Sequence, residues 1–253
     1  MDEHAGSHEL EWHTSVWPLL LSIGILFLAP FAFSSYFVYQ NTLLTVISLG
    51  IGVPLTLFSV GGWVREGIED SHGYGQGHII FAMPLFILAE ATLFVGFFAA
   101  YWFLRFSAPT WPPAGTPEFH AILPIIMTVI LVTSSITIHI AENKLEKDDK
   151  GGFITWLIIT IVLGLIFLGI EIYEWTTLID GGFTSSTNIF SSSFYAITGF
   201  HGSHVLVGAG IFICILIPAL KGKINKHFVT VGSMYWHFVD VVWFFVVSQI
   251  YFL

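Results

Sequence analysis

The sequence predicts an all-α integral membrane protein with seven transmembrane helices. The mean hydropathy is +0.81 and only 10% of the 253 residues are charged, whereas soluble domains carry about 25% charged residues. A soluble protein of this composition would expose a large apolar surface, which soluble monomers rarely do. The net charge of -9 argues against a nucleic-acid partner. Cys214, the single cysteine, allows no internal disulfide and is typical of a small core residue.

Apolar runs of about 20 residues, the length that crosses a bilayer, occur seven times. A polar tail (1–15) without Lys or Arg precedes the first run, so it lacks the basic segment of a secretory signal and we expect the run to be retained. The predicted spans cover residues 16–39, 42–64, 79–105, 120–141, 152–178, 189–219 and 228–252.

The basic residues predict the orientation of these spans. Seven of the eight fall in the loops after spans two, four and six, and only Arg105 falls on the other side. Since Lys and Arg accumulate in cytoplasmic loops, we expect the N-terminus inside and the C-terminus outside.

The loops divide the chain into unequal parts. Residues 16–64 form a predicted two-helix hairpin, and an inside-face loop rich in Gly and acidic residues follows at 65–78. Residues 79–253 form a predicted five-helix bundle, whose outside loop 108–119 holds four prolines and cannot be helical. The best boundary between the two parts lies near residue 70.

Several ionisable residues lie deep in the spans. Glu90 is about 17 Å into span three, close to the bilayer midplane. Three other spans carry a pair at i,i+3, a spacing that places both members on one helix face. Because such groups are costly in lipid, we expect them to face each other or another protein. These pairs are Glu171/Glu174, His201/His204 and His237/Asp240.

Structural hydrogen bonding is the favoured role for these residues. Proton or lipid-headgroup chemistry is the first alternative and metal binding the second, because the spacing of His201 and His204 resembles half of a metal site. The chain has no HExxH, CxxxC or GxSxG motif. We therefore expect neither a catalytic residue nor a metal ligand.

Several motifs together carry a resemblance to subunit III of the haem-copper cytochrome c oxidases. The longest are SSFYAITGFHGSHVLVGAGIF (192–212) and MYWHFVDVVWFF (234–245). The first sixty residues agree only in pattern, as a hairpin. Shorter matching segments follow in the family's order: GWVRE at 62–66, YGQGH at 74–78, AEATLFVGFF at 89–98, TWPPAG at 110–115 and YEW at 173–175.

The resemblance implies an architecture and a role. The first two helices would splay from the other five, with structural phospholipids in the cleft between them. The subunit would hold no haem or copper, which belong to subunits I and II. It would pack against subunit I, sustain its proton uptake and protect it during turnover, with cytochrome c as the electron donor of the complex. We expect it in a bacterial cytoplasmic membrane, with the mitochondrial inner membrane as the alternative.

The resemblance also assigns residues. The family's embedded carboxylate in helix three corresponds to Glu90, and its helix-five glutamate corresponds to Glu174 or Glu171. Its lipid-phosphate contact corresponds to Trp63, Arg65 and Glu66, with His78 as a further candidate. The sequence departs from the family pattern at the second arginine of this contact, which is acidic here (Glu69 or Asp70), so Arg65 would bind the phosphate alone.

Two alternative functions remain open at this stage. A subunit III-like component of a quinol oxidase or a nitric oxide reductase fits many of the same motifs. A small channel or transporter that uses the embedded carboxylates would require inverted repeats and broken helices, which the sequence does not reveal.

The last expectation concerns the final two spans. They are consecutive and joined by a short basic loop, so we expect them to pack as antiparallel neighbours. We expect His237 and Asp240 to face the bundle interior and to form a buried polar patch that fixes the packing of helices six and seven.

Overall fold

The computed structural model describes residues 15–69 and 76–252, apart from the side chains at 29, 37, 67–69 and 76–82. These ranges are mainly helical and contain no strand. The α-helices are α1 (Trp17–Leu26), α2 (Thr42–Glu69), α3 (Gln76–Ser107), α4 (Ile122–Glu146), α5 (Lys150–Asp180), α6 (Ile189–Leu220) and α7 (Lys226–Val246).

Six of the predicted spans correspond to long helices. The stretches in α2 to α6, and α7 with its extension to Tyr251, are long and apolar enough to cross a bilayer. The five-helix unit also exposes large apolar side chains, among them Leu85, Phe103 and Ile172. An apolar surface of this extent indicates an integral membrane protein.

The first predicted span, 16–39, differs from the other six. α1 has only 10 residues, and the π-helical segments Phe27–Phe31 and Ser34–Val38 follow it. Pro30 lies inside the first of these segments. Proline has no backbone N–H and its ring crowds the preceding turn. However, α2, α3 and α6 contain Pro54, Pro84 and Pro218 and remain α-helical, so Pro30 alone does not explain the π-helical segments. The seven-span count stays a prediction.

The helices extend beyond the apolar runs from which they were predicted. The segment 65–78 was predicted as a loop, but α2 continues to Glu69 and α3 begins at Gln76. Hydropathy marks where apolar side chains stop, whereas a helix continues until the backbone is interrupted. The prediction that 108–119 is not helical is confirmed, because no helix forms between α3 and α4.

The chain divides into two compact units, Met1–Tyr74 and Gly75–Leu253. In the first unit, small residues let α1 and α2 approach closely. A Cβ atom on Gly24 would lie 2.6 Å from Thr56 Oγ1, and one on Gly52 would lie 2.7 Å from the backbone nitrogen of Leu28.

In the second unit, α4 packs on α5, α5 on α6 and α6 on α7. α7 also packs on α4, and α3 packs on both α6 and α7. The predicted packing of the last two spans is thereby confirmed. α7 therefore has several neighbouring helices to which its polar side chains can turn.

Trp236 of α7 occupies the centre of this unit and is fully buried. Its ring fills notches left by Gly164 of α5 and Gly208 of α6, where a Cβ atom would lie 2.7 Å from a ring carbon. Its Nε1 donates a 2.9 Å hydrogen bond to Ser134 Oγ of α4. This one side chain thus ties α7 to three other helices.

Candidate functional site

The embedded Glu90 contacts a histidine of another helix. Nε2 of His204, in α6, lies 3.0 Å from Oε2 of Glu90, in α3. Nδ1 of His204 lies 2.7 Å from the carbonyl oxygen of Phe200. Because a carbonyl only accepts, Nδ1 carries a hydrogen, and the contact with Glu90 must contain a further proton. Whether that proton lies on the imidazole or on the carboxyl group, the pair has no net charge.

Aromatic rings surround this pair. The ring centroid of His204 lies 4.5 Å from that of Phe200, 5.0 Å from that of Phe94 and 6.3 Å from that of Tyr235. His204 is 8% exposed, and the Glu90 side chain is 19% exposed. The surroundings exclude most water, so each member depends on the other for its hydrogen bond.

The second polar pair, His237 and Asp240 of α7, converges on one hydroxyl group of α4. Ser135 Oγ lies 3.0 Å from His237 Nδ1 and donates to Oδ2 of Asp240. We expected this pair to fix α7 on α6, so the partner helix was wrong. The face of α7 toward α6 is occupied instead by Trp236 and by Val239, whose carbonyl contacts that helix. Asp240 is buried as expected, whereas His237 is only half-buried.

His201 faces α7 but makes a weak contact there. Its Nε2 lies 3.3 Å from the carbonyl oxygen of Val239, and its buried Nδ1 has no hydrogen-bond partner among the described residues. Its ring packs 5.6 Å from that of Phe167 and 5.1 Å from that of Trp243, between centroids. His201 thus behaves mainly as a packed ring.

The two glutamates of α5 are both buried and have different surroundings. Glu174 Oε2 accepts a 2.6 Å hydrogen bond from the hydroxyl of Tyr251. Glu171 lies against Gly202 of α6, where an added Cβ atom would overlap with its Oε2. Its Oε1 has no partner among the described residues.

The predicted lipid-phosphate residues lie at the end of α2. Trp63 is 46% exposed and Arg65 is exposed. Glu66 Oε2 accepts a 2.7 Å hydrogen bond from Ser15 Oγ, which ties the two ends of the hairpin together. His78 lies in α3, and its side chain is outside the described residues. An indole and a guanidinium exposed at a helix end suit a lipid headgroup.

The two histidines that resembled half of a metal site do not converge. His201 turns to α7 and His204 turns to α3. Within the described ranges, no three His, Cys, Asp or Glu side chains come together as metal ligands would.

Three residues of these contacts were not predicted from the sequence. Ser135 contacts both His237 and Asp240 of α7. Tyr251 donates a hydrogen bond to Glu174, and Gly202 has no side chain that would overlap with Glu171. Ser135 had a detectable signal, because the run TSSIT at 133–137 places hydroxyl groups in the middle of an apolar span. Tyr251 and Gly202 had none, since tyrosine and glycine are common in membrane helices.

Comparison with known proteins gives one consistent result. The family model described as cytochrome c oxidase subunit III matches residues 8–253. A relative named cytochrome c oxidase subunit 3 from Synechocystis is 38% identical over 73% of this chain and 80% of its own length. A relative of the same name from Thermostichus vulcanus is 39% identical over 74% of this chain and 92% of its own length. One from Loxodonta africana is 32% identical over 94% of each chain.

Proposed function

The chain belongs to the cytochrome c oxidase subunit III family, and from this membership we propose that it is the non-catalytic core subunit III of a proton-pumping terminal oxidase. The complex reduces O₂ to water with electrons from cytochrome c. Haem and copper reside in subunits I and II, and this chain packs against subunit I in a bacterial cytoplasmic membrane.

The observation that carries this proposal is that the embedded polar groups contact each other across helices. Glu90 contacts His204, and Asp240 contacts Ser135. Such contacts join α3 to α6 and α4 to α7 within one subunit. These polar side chains would stabilise the helix packing of this subunit. A stably packed subunit III would in turn support the proton uptake and the turnover stability of subunit I.

Seven crossings with the N-terminus inside complete the proposal. The connection between α4 and α5 carries Lys147 and begins and ends near Lys144 and Lys150, and that between α6 and α7 carries Lys221 and Lys223. Both connections would lie on the cytoplasmic side. The apolar residues from α1 through the second π-helical segment supply the seventh crossing.

Purification from the host membrane tests this function. A tagged full-length chain should bring down a complex with haem absorbance and cytochrome c oxidase activity, whereas the chain separated from its partners should have no haem absorbance. Purification with a quinol oxidase or a nitric oxide reductase would contradict the proposal. Purification of the chain without any haem-bearing partner would contradict it as well.

We also propose that Trp63, Arg65 and Glu66, with His78, hold a phospholipid headgroup. Arg65 would donate paired hydrogen bonds to the phosphate, and Trp63 would lie at the depth of the interface. Arg65→Ala should lower the phospholipid retained by the purified complex, as quantified by mass spectrometry. Arg105→Ala, at the other arginine of the chain, is the matched control. Equal lipid content in the two variants would contradict this assignment.

A further inference from the structure

A line of polar side chains follows the contact between α4 and α7. We call it the polar stripe. Ser233 Oγ donates a 2.9 Å hydrogen bond to Glu142 Oε2, one to two helical turns from the contact of Ser135 with His237. His139 lies close enough to Glu142 and His237 to interact with both electrostatically. The stripe consists of Ser135, His139 and Glu142 of α4 with Ser233, His237 and Asp240 of α7.

The stripe reaches the surface of the five-helix unit at a depth where lipid would surround it. His237 lies 11 residues after Lys226 in α7, which is about 17 Å along the helix and near the middle of a hydrocarbon core about 30 Å thick. It is only half-buried, and His139 is exposed. Polar side chains inside a membrane face a protein or a water-filled cavity.

The hydrogen bonds of Ser135 determine which ring nitrogen of His237 donates and which one accepts at this surface. Ser135 donates its only hydroxyl hydrogen to Asp240, so His237 Nδ1 must donate to the serine oxygen. The other ring nitrogen, Nε2, is then an acceptor. It has no hydrogen-bond partner among the described residues, and it is not among their buried unpartnered atoms. Hydrocarbon cannot supply the donor that it lacks.

The geometry points to the polar stripe as the docking surface for a membrane-spanning helix of another oxidase subunit, which donates a hydrogen bond to Nε2 of His237. The occupant carries a hydroxyl, amide or indole donor at mid-membrane depth. This inference rests on the proposed function, because it requires that the chain is part of a multi-subunit complex. A helix fits better than lipid because a side chain of a helix can supply a donor at this depth, whereas hydrocarbon cannot.

Photo-crosslinking in the assembled oxidase tests the surface. A benzophenone side chain replaces Val241, one turn beyond His237, or Val207 of α6 as the matched control; the two valines are 55% and 54% exposed. We expect an adduct with another oxidase subunit from position 241 and none from position 207. Adducts with lipid only, or with a second copy of this chain, at position 241 would overturn the inference.

Crosslinking also separates this inference from the proposed function. If the chain purifies in a haem-bearing oxidase but position 241 gives no adduct with another subunit, the docking surface is wrong and the proposed function stands. If the chain purifies without a haem-bearing partner, the proposed function fails before any crosslinking is done, and the inference fails with it.

Two substitutions of His237 test its hydrogen bond. The amide of His237→Gln reaches the position of Nε2 and supplies an acceptor there, whereas the shorter amide of His237→Asn can contact only Ser135. We expect His237→Asn to weaken retention of this chain during detergent titration about threefold, the effect of one interhelical hydrogen bond in a membrane, and His237→Gln to retain it. Equal retention of both variants would overturn the role of Nε2.

Discussion

The histidine pair of α6 and the His–Asp pair of α7 have the same spacing but contact their neighbours differently. His201 and His204 diverge, one to the backbone of α7 and the other to Glu90 of α3. His237 and Asp240 converge on Ser135 of α4. An i,i+3 spacing therefore predicts which residues share a helix face, but not whether they share a partner. The neighbouring helices decide that.

We expect the largest loss of stability from substitution of His204, the member of the α6 pair that contacts Glu90. His204→Phe removes the partner of Glu90, which is then left with its proton in an apolar site. We expect the complex to lose about 2–3 kcal/mol, the upper part of the cost of leaving a buried polar group without its hydrogen-bond partner, measured by thermal unfolding of the purified oxidase.

A double-mutant cycle with Glu90→Gln isolates this contact. The double variant should be less destabilised than the sum of the two single variants, because each single change already removes the contact. Strict additivity would show that the histidine and the glutamate do not depend on each other.

The next effect concerns the convergent pair of α7. Asp240→Leu leaves the Ser135 hydroxyl without its acceptor, at an expected cost of about 1–3 kcal/mol. Asp240→Asn keeps an acceptor of the same shape, so the hydrogen bond is retained and the cost should stay below about 0.6 kcal/mol, the average for one whole interhelical hydrogen bond in a membrane. The assay is retention of the chain in the oxidase during heating. Equal losses for both variants would contradict a structural role for the hydrogen bond.

A smaller effect is expected at His201. Its Nδ1 is buried without a partner among the described residues, and its Nε2 contact is long at 3.3 Å. His201→Phe replaces the imidazole by another ring against Phe167 and Trp243, so we expect a change below about 1 kcal/mol, of either sign. A loss as large as that of His204→Phe would refute the contrast between the two members of the α6 pair.

The sequence was sufficient for the parts of the fold that depend on local pattern. The apolar runs predicted α2 to α7, and the i,i+3 pairs predicted the burial of Glu171, Glu174, His201 and Asp240. The resemblance predicted the family, which the comparisons confirm.

What the sequence could not predict depends on packing between distant segments. The choice of Ser135 as the partner of Asp240 joins residues 105 positions apart. It depends on which side of α7 packs against α4, and the local pattern does not specify that side. The change from α-helix to π-helix after α1 is likewise not visible in the hydropathy, which predicts 16–39 as one apolar span.

Asp149, in the connection between α4 and α5, is an exposed carboxylate that can be compared with the buried polar pairs. Its side chain caps α5 by accepting a 2.9 Å hydrogen bond from the Gly152 N–H, and Lys144 Nζ lies 3.1 Å from its other oxygen. These two contacts, the backbone hydrogen bond first, lower the pKa of Asp149 below its ordinary value. Stability from a lowered pKa is fully present above the pKa of the unfolded chain, about 3.9, and is lost as the pH falls through the lower folded value.

We therefore expect the smallest change in stability from substitution of Asp149, the exposed cap of α5. Asp149→Asn retains a good cap but cannot titrate. We expect the wild-type chain to have a slightly higher Tm than this variant at pH 7, and the difference to shrink below about pH 4, where the carboxylate of the unfolded chain gains its proton. Lys144→Gln, which keeps the backbone hydrogen bond, should reduce the difference only in part. A difference between wild type and Asp149→Asn that persists unchanged in acid would show that the carboxylate charge does not stabilise this helix start.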